Sequence, residues 1–172
     1  LLGGRPLPES RENQAVFRLT PEERELAGKR LLLAAAVLFT FPGSPMIYYG
    51  DEVGMNGSSD SDCRRGMLWD EARQDRDTLA WYRRLVQIRR QNPVLTEGTL
   101  VRQYAKDGEG LLLMERRLGE QQAALVFHTE AGTASLLELR GKYDLIAGRE
   151  FSGTLGAYET AVLVEAGSGQ EA

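Results

Sequence analysis

One cysteine, one histidine and no membrane-length hydrophobic run limit what this 172-residue chain can be. Cys63 alone excludes an internal disulfide and a cysteine-rich metal site. His128 alone excludes histidine-cluster metal chemistry, and any Ser-His-Asp device would have to be built on it. The apolar run Leu31 to Phe41 is too short to cross a bilayer and has charges before it, so no membrane partner is expected. Clustered basic charge is missing too. With a formal net charge of -4, the chain lacks the Lys and Arg density that phosphate binding needs, so no nucleic-acid partner is expected. The doublets Arg64-Arg65, Arg83-Arg84, Arg89-Arg90 and Arg116-Arg117 are scattered among acids and read as solvated faces. No signal peptide is visible, and Leu1 in place of Met reads as a cut or processed end. The compartment is therefore not readable, with the cytoplasm favoured.

What is present is a soluble globular composition, 42% hydrophobic and 27% charged, long enough for one domain or a small domain and a piece of another. Residues 1–19, with Gly3, Gly4, Pro6 and Pro8, read as an irregular loop. Thr20-Pro21-Glu22-Glu23 is a helix start with a capping box, and the helix is expected to run to about Phe39. From Leu31 onward it is apolar on nearly every face, which predicts burial. Pro42 and Pro45 end it. Met46 to Tyr49 then read as one short buried strand, closed by Gly50 and followed by Asp51 and Glu52. A long Gly-, Ser- and Asp-rich loop leads to a second helix over 78–91, with Asp77 as its expected cap. Beyond Pro93 the chain changes character. Short β-rich runs at 99–104, 110–116, 122–128, 133–139, 143–145, 149–151 and 158–164 predict an antiparallel sandwich or barrel. Residues 167–172 read as a loose tail.

Helix, turn, buried strand and then acid at the strand end is the order of an α/β barrel, where chemistry collects at the carboxyl ends of strands. The wording of the stretch is more specific. Phe41-Pro42-Gly43-Ser44-Pro45-Met46-Ile47-Tyr48-Tyr49-Gly50-Asp51-Glu52 with Gly54-Met55, then Asp62-Cys63-Arg64-Arg65 with Met67 and Trp69, then Tyr82-Arg83, Ile88-Arg89 and Pro93-Val94-Leu95, resemble the α-amylase family, glycoside hydrolase family 13. Within it the resemblance is to the neopullulanase and cyclomaltodextrinase branch. The match departs at Gly66, where relatives usually carry proline.

The resemblance implies an α+β fragment: the last helices and strand of a (β/α)8 barrel in residues 20–95, followed by a C-terminal antiparallel β-sandwich in 96–166. It implies a parent that cleaves α-glucosidic bonds of α-glucans, of maltodextrin, cyclodextrin or pullulan type, by a retaining mechanism. Such a mechanism needs two carboxyl groups ~5 Å apart. The family's nucleophilic Asp, acid/base Glu and His-Asp pair have no match in this sequence, so no residue here is expected to be catalytic and the chain alone is expected to be inactive. No cofactor is expected; calcium in the parent is not supported by any spacing here, including Asp60 and Asp62.

Tyr49, Asp51, Glu52, Arg65 and Trp69 are the candidate substrate-binding residues. Against this, Asp51 and Glu52 read first as anchors of the strand end. Being adjacent on a strand, they should point to opposite faces. Tyr48 and Tyr49 read first as barrel wall, Trp69 as packing under its own loop, Trp81 and Tyr82 as core, and His128 as structural. The alternative to an enzyme fragment is a non-catalytic carbohydrate-binding or interaction module. A lone barrel strand cannot close a barrel, so the apolar helix must find cover, with homo-oligomers through the barrel helices as one outcome.

Overall fold

The computed structural model describes residue 6, residues 8–57, 60, 62–106 and 108–166. The expected tail at 167–172 lies outside them. They divide into two compact units, one made of 1–32 and 46–83, the other of 33–45 and 84–172. Two long helices run through both divisions, and each unit is described by itself.

The first unit opens with a short helix, α1 (Arg11–Val16), where the sequence reads as loop. Ser10 caps it, its hydroxyl accepting from the Asn13 amide at 3.2 Å. Helix α2 (Pro21–Thr40) begins as its sequence predicts. The Thr20 amide donates to the Glu23 carboxylate at 2.9 Å, and the Glu23 amide donates back to the Thr20 hydroxyl at 3.2 Å. Two orphan donors of the first turn are thereby satisfied by each other's side chains.

Two expectations fail nearby. Met46 to Tyr49 is not a buried strand: residues 44–48 form no strand pairing, and Met46 is 77% exposed. A strand is stabilised by ladder hydrogen bonds to a neighbour, and none of the described segments lies beside this one as a neighbour. Nor is α2 buried all round. Leu33, Ala35, Ala36 and Phe39 are buried, whereas Leu31, Leu32, Val37 and Leu38 are half-buried and Ala34 is exposed. Only one side of the helix has cover among the described residues.

Helix α3 (Arg76–Gln91) starts two residues before its expected position. Its cap is Asp75 rather than Asp77: the Asp75 carboxylate accepts from the amides of Asp77 at 3.0 Å and Thr78 at 2.9 Å. Tyr82, Leu85 and Ile88 are its buried side. The Trp81 indole donates to the Leu32 carbonyl at 3.0 Å, tying α3 to α2 within the first unit.

The second unit is built on strands β1 (Thr99–Lys106), β2 (Leu111–Leu118), β3 (Gln121–His128), β4 (Ala134–Ser135), β5 (Tyr143–Asp144), β6 (Arg149–Glu150), β7 (Thr154–Leu155) and β8 (Thr160–Val164). A six-stranded sheet has the order β1-β2-β3-β8-β5-β6, and β4 pairs with β7 in a two-stranded one. Every pairing is antiparallel. Residues 137–139 form a 3₁₀ turn where strand is expected, and the strand at 154–155 is absent from the sequence reading. The β2–β3 hairpin closes on Gly119 and Glu120, with Gly119 at φ +57°, the left-handed conformation that a two-residue turn demands.

Register sorts the side chains. Leu111 and Leu113 of β2, Ala124 and Val126 of β3, and Ala161 and Leu163 of β8 share one face. They form a single core cluster with Ala134, Leu136, Phe151 and Leu155 from the segment carrying the smaller sheet. The opposite face presents Met114, Arg116, Ala123, Leu125, Phe127 and Val162, all buried as well. The 3₁₀ turn Pro93–Leu95 lies against β2 and β3 there. Both faces of the central strands are covered, which accounts for their nearly unbroken apolar runs.

Candidate functional site

The first unit holds a cleft of about 450 Å³. Its floor follows from local chain chemistry. Gly50 adopts φ +94° and Gly54 φ +70°, bracketing a 3₁₀ turn, Asp51–Val53. The Met55 amide closes back onto the Gly50 carbonyl at 2.9 Å. This turn carries Asp51 to the cleft, with Tyr48 and Tyr49 before it and Met55 to Gly57 after it. Asp62, Cys63 and Arg65 come from the following loop; Arg73, Gln74, Asp75 and Thr78 come from the approach to α3. One face of α2 completes the lining with Arg24, Ala27, Gly28 and Leu31.

Three of the five predicted site residues, Tyr49, Asp51 and Arg65, meet in this cleft. The Tyr49 hydroxyl donates to the Arg65 carbonyl at 2.7 Å. Its ring lies 5.0 Å from that of Tyr48, tilted by 34°. Both rings are 43% exposed, so they are not the buried barrel wall the sequence suggests. Arg65 is held by Asp62, whose Oδ1 accepts from Nε at 2.8 Å and from Nη2 at 2.5 Å. Arg64 pairs with Asp60 in the same way along the loop. Among the described residues no three His, Cys, Asp or Glu side chains converge as a metal site would require.

Asp51 and Glu52 are not on a strand, so the opposite-faces expectation gives way to a turn. Glu52 folds back, its Oε2 accepting from the Gly50 amide at 2.8 Å, and is committed to holding that turn. Asp51 is half-buried. Burial first, then the charge of Glu52, pushes its carboxyl above the ordinary carboxylate value. The same two carboxylates add to the burial that pushes the Tyr82 phenol up to about 12. Trp69 does not line the cleft. It is 81% exposed, so it does not pack under its loop either.

The α2 residues are absent from the sequence-derived site. Their spacing, 24, 27, 28 and 31, is that of one helix face and was there to be read. Also unforeseen is the burial of an arginine read as solvated. Arg116 is 1% exposed. In the second unit its Nη1 donates to the carbonyls of Thr40 at 3.1 Å and Leu95 at 2.6 Å, and its Nη2 to that of Gly98. Gly98 sits so close that a Cβ would collide with the Val94 carbonyl oxygen. Arg89 donates to Phe39 at 2.6 Å and to Gly43 at 2.5 Å. Two guanidinium groups thus satisfy carbonyls at and beyond the C-terminal end of α2, where the helix dipole favours cations. The period-two placement of Arg116 with Leu112 and Met114 on one face of β2 is the signal that would have found it.

The motif order, the helices and the antiparallel sheet converge on one class: the chain is homologous to the C-terminal part of glycoside hydrolases of the α-amylase family. It is 37% identical over 124 residues to a cyclomaltodextrinase of Thermoanaerobacter pseudethanolicus, covering 70% of this chain and 21% of that one. It is 34% identical over 137 residues to neopullulanase 2 of Thermoactinomyces vulgaris, covering 75% and 23%. Among solved structures, the maltogenic amylase of S. marinus superposes with a TM-score of 0.70 at 26% identity, over 79% of this chain and 19% of that one. The chain therefore spans about a fifth of the length of the relatives it matches. No protein-family model matches it.

Proposed function

We propose that these residues are the C-terminal part of a retaining glycoside hydrolase acting on α-glucosidic bonds of maltodextrin, cyclodextrin or pullulan, with its catalytic carboxylates outside residues 1–172. Residues 20–95 are the closing piece of its barrel and 96–166 its C-terminal β-domain. The part of the function carried here is sugar contact. Tyr49 offers a ring face, Asp51 an acceptor, and Arg65 a fixed donor. Glu52 serves by holding the turn, and Trp69 is a bare ring outside the cleft.

The single observation behind this reading is the cleft itself: residues of the family-like motif, scattered from 49 to 65 in sequence, line one space about 450 Å³ in volume. Polar hydrogen-bonding groups beside aromatic faces suit a neutral polyol, whose ring faces are apolar and whose edges carry hydroxyls. The exposed segment 46–49 is proposed to be covered by the remainder of the barrel.

Two measurements on the purified 172-residue chain test the proposal. Hydrolysis of maltodextrin, cyclodextrin and pullulan should be absent; turnover would show that a catalytic set is present after all. Titration calorimetry with maltooligosaccharides at millimolar concentration should give saturable heat, and a flat titration removes the sugar-contact role.

A further inference from the structure

The α2 side of the cleft carries two features that folding alone does not explain. The first is Gly28. It sits in the interior of a helix, where glycine is less favourable than alanine because it has more backbone freedom to lose. Its φ is not in the left-handed region, and a Cβ built on it meets nothing within 4 Å, so neither backbone conformation nor packing calls for glycine. What the missing side chain provides is open space in the cleft beside Ala27, another small residue. The second feature is Arg24, one turn earlier on the same face. Arg65 is pinned by Asp62, but the Arg24 guanidinium is exposed and makes no hydrogen bond or ion pair among the described residues. The Glu25–Lys29 pair, at 2.7 Å, belongs to the neighbouring residues of the helix and leaves Arg24 out.

We infer that this face of α2 is the second wall of the α-glucan site, with Arg24 a sugar-binding residue and Gly28 the position that sets how much of a glucose ring the cleft admits. The inference rests on the α-glucan reading above. A planar guanidinium can donate two parallel N–H groups to a pair of vicinal hydroxyls. Opposite it, Tyr49 and Asp51 offer a ring face and an acceptor. Between them, bare backbone at residue 28 lets the ring approach closely.

The test is titration of the 172-residue chain with maltotriose, comparing wild type, Gly28→Ala, Gly28→Leu and Arg24→Gln, each with its thermal midpoint. Gly28→Leu should bind about tenfold more weakly or worse, an affinity loss read directly from the dissociation constant. Its midpoint should be unchanged or higher, because leucine is the better helix former. Gly28→Ala should fall between leucine and wild type. Arg24→Gln should weaken binding by about three- to tenfold, the size of a lost hydrogen bond, with the midpoint unmoved. Amide NMR of the wild type supplies a readout that does not depend on variant folding: maltotriose should shift residues 24–31 together with 49–51. Wild-type affinity in Gly28→Leu, or shifts at 49–51 without shifts at 24–31, overturns the inference and leaves the α-glucan reading standing. A wild type that binds no maltotriose overturns both.

Discussion

Arg65 lies in the turn-rich unit, exposed, with a carboxylate 2.5 Å away. Arg116 lies in the sheet unit, 1% exposed, with only carbonyl oxygens as partners and its Nε unpaired among the described residues. The contrast extends to the units that hold them. In the sheet unit, β2, β3 and β8 are covered on both faces and polar groups are buried and engaged. Asp144, for instance, accepts from the Ile146 and Val162 amides at 2.9 and 3.2 Å. In the other unit, turns and loops hold exposed rings and solvated charge. A buried cation bound by carbonyls fixes backbone, whereas exposed charges and rings around a cleft are free to meet a ligand. Stability should therefore reside in the sheet unit and recognition in the other.

The sharpest way to break that comparison is Arg116→Ala. It strands three buried carbonyls and leaves a cavity, so urea unfolding should show a loss of about 3–5 kcal/mol. Arg116→Lys should recover only part of this, since one ammonium cannot reproduce the planar fork. A loss under 1 kcal/mol would mean that the clamp is ornamental. Next comes a matched pair of apolar truncations. Leu125→Ala, at a fully buried sheet position, should cost about 2–5 kcal/mol, while Met46→Ala should stay within about 0.5 kcal/mol.

Asp144 sharpens the comparison through pH. Burial pushes its carboxyl above the ordinary value despite the amides that favour the charge. A raised folded pKa means that the native state prefers the protonated form. Its contribution is fully present below the unfolded value of 3.8 and is lost as pH rises through the folded one. Asp144→Asn keeps an acceptor for both amides, so its stability relative to wild type should improve from acid to neutral pH. Asp144→Ala, which keeps no acceptor, should cost about 1–3 kcal/mol. The smallest effect is expected at the start of α2. Thr20→Ala removes half of the capping box and should cost about 1 kcal/mol, read from the thermal midpoint.

Much of the candidate site was legible because it lies in a continuous motif. Tyr49, Asp51 and Arg65 are named by their neighbours in sequence, and they do share a cleft. Glu52 and Trp69 were grouped with them by proximity along the chain alone, and the turn at 51–53 sends Glu52 to its own backbone instead. Arg24 and Gly28 were missed because a helix face was read for its apolar content and not for its gaps. Met46 to Tyr49 was misread because apolar composition reports a tendency to be covered, and pairing needs a neighbouring strand that no local pattern supplies.

By itself, the sequence determined what depends on nearest neighbours: the Thr20–Glu23 capping box, the stop at Pro42, the Gly119 hairpin, and the alternation that builds β2 and β3. These are interactions across three or four residues or one turn, so short-range chemistry suffices. The tertiary structure alone decided that Arg116 is buried, that Leu155 joins the core from a strand of two residues, and that a face of α2 meets residues 49–65 around one cleft. Each depends on groups far apart in the chain, whose meeting is set by the packing of whole elements.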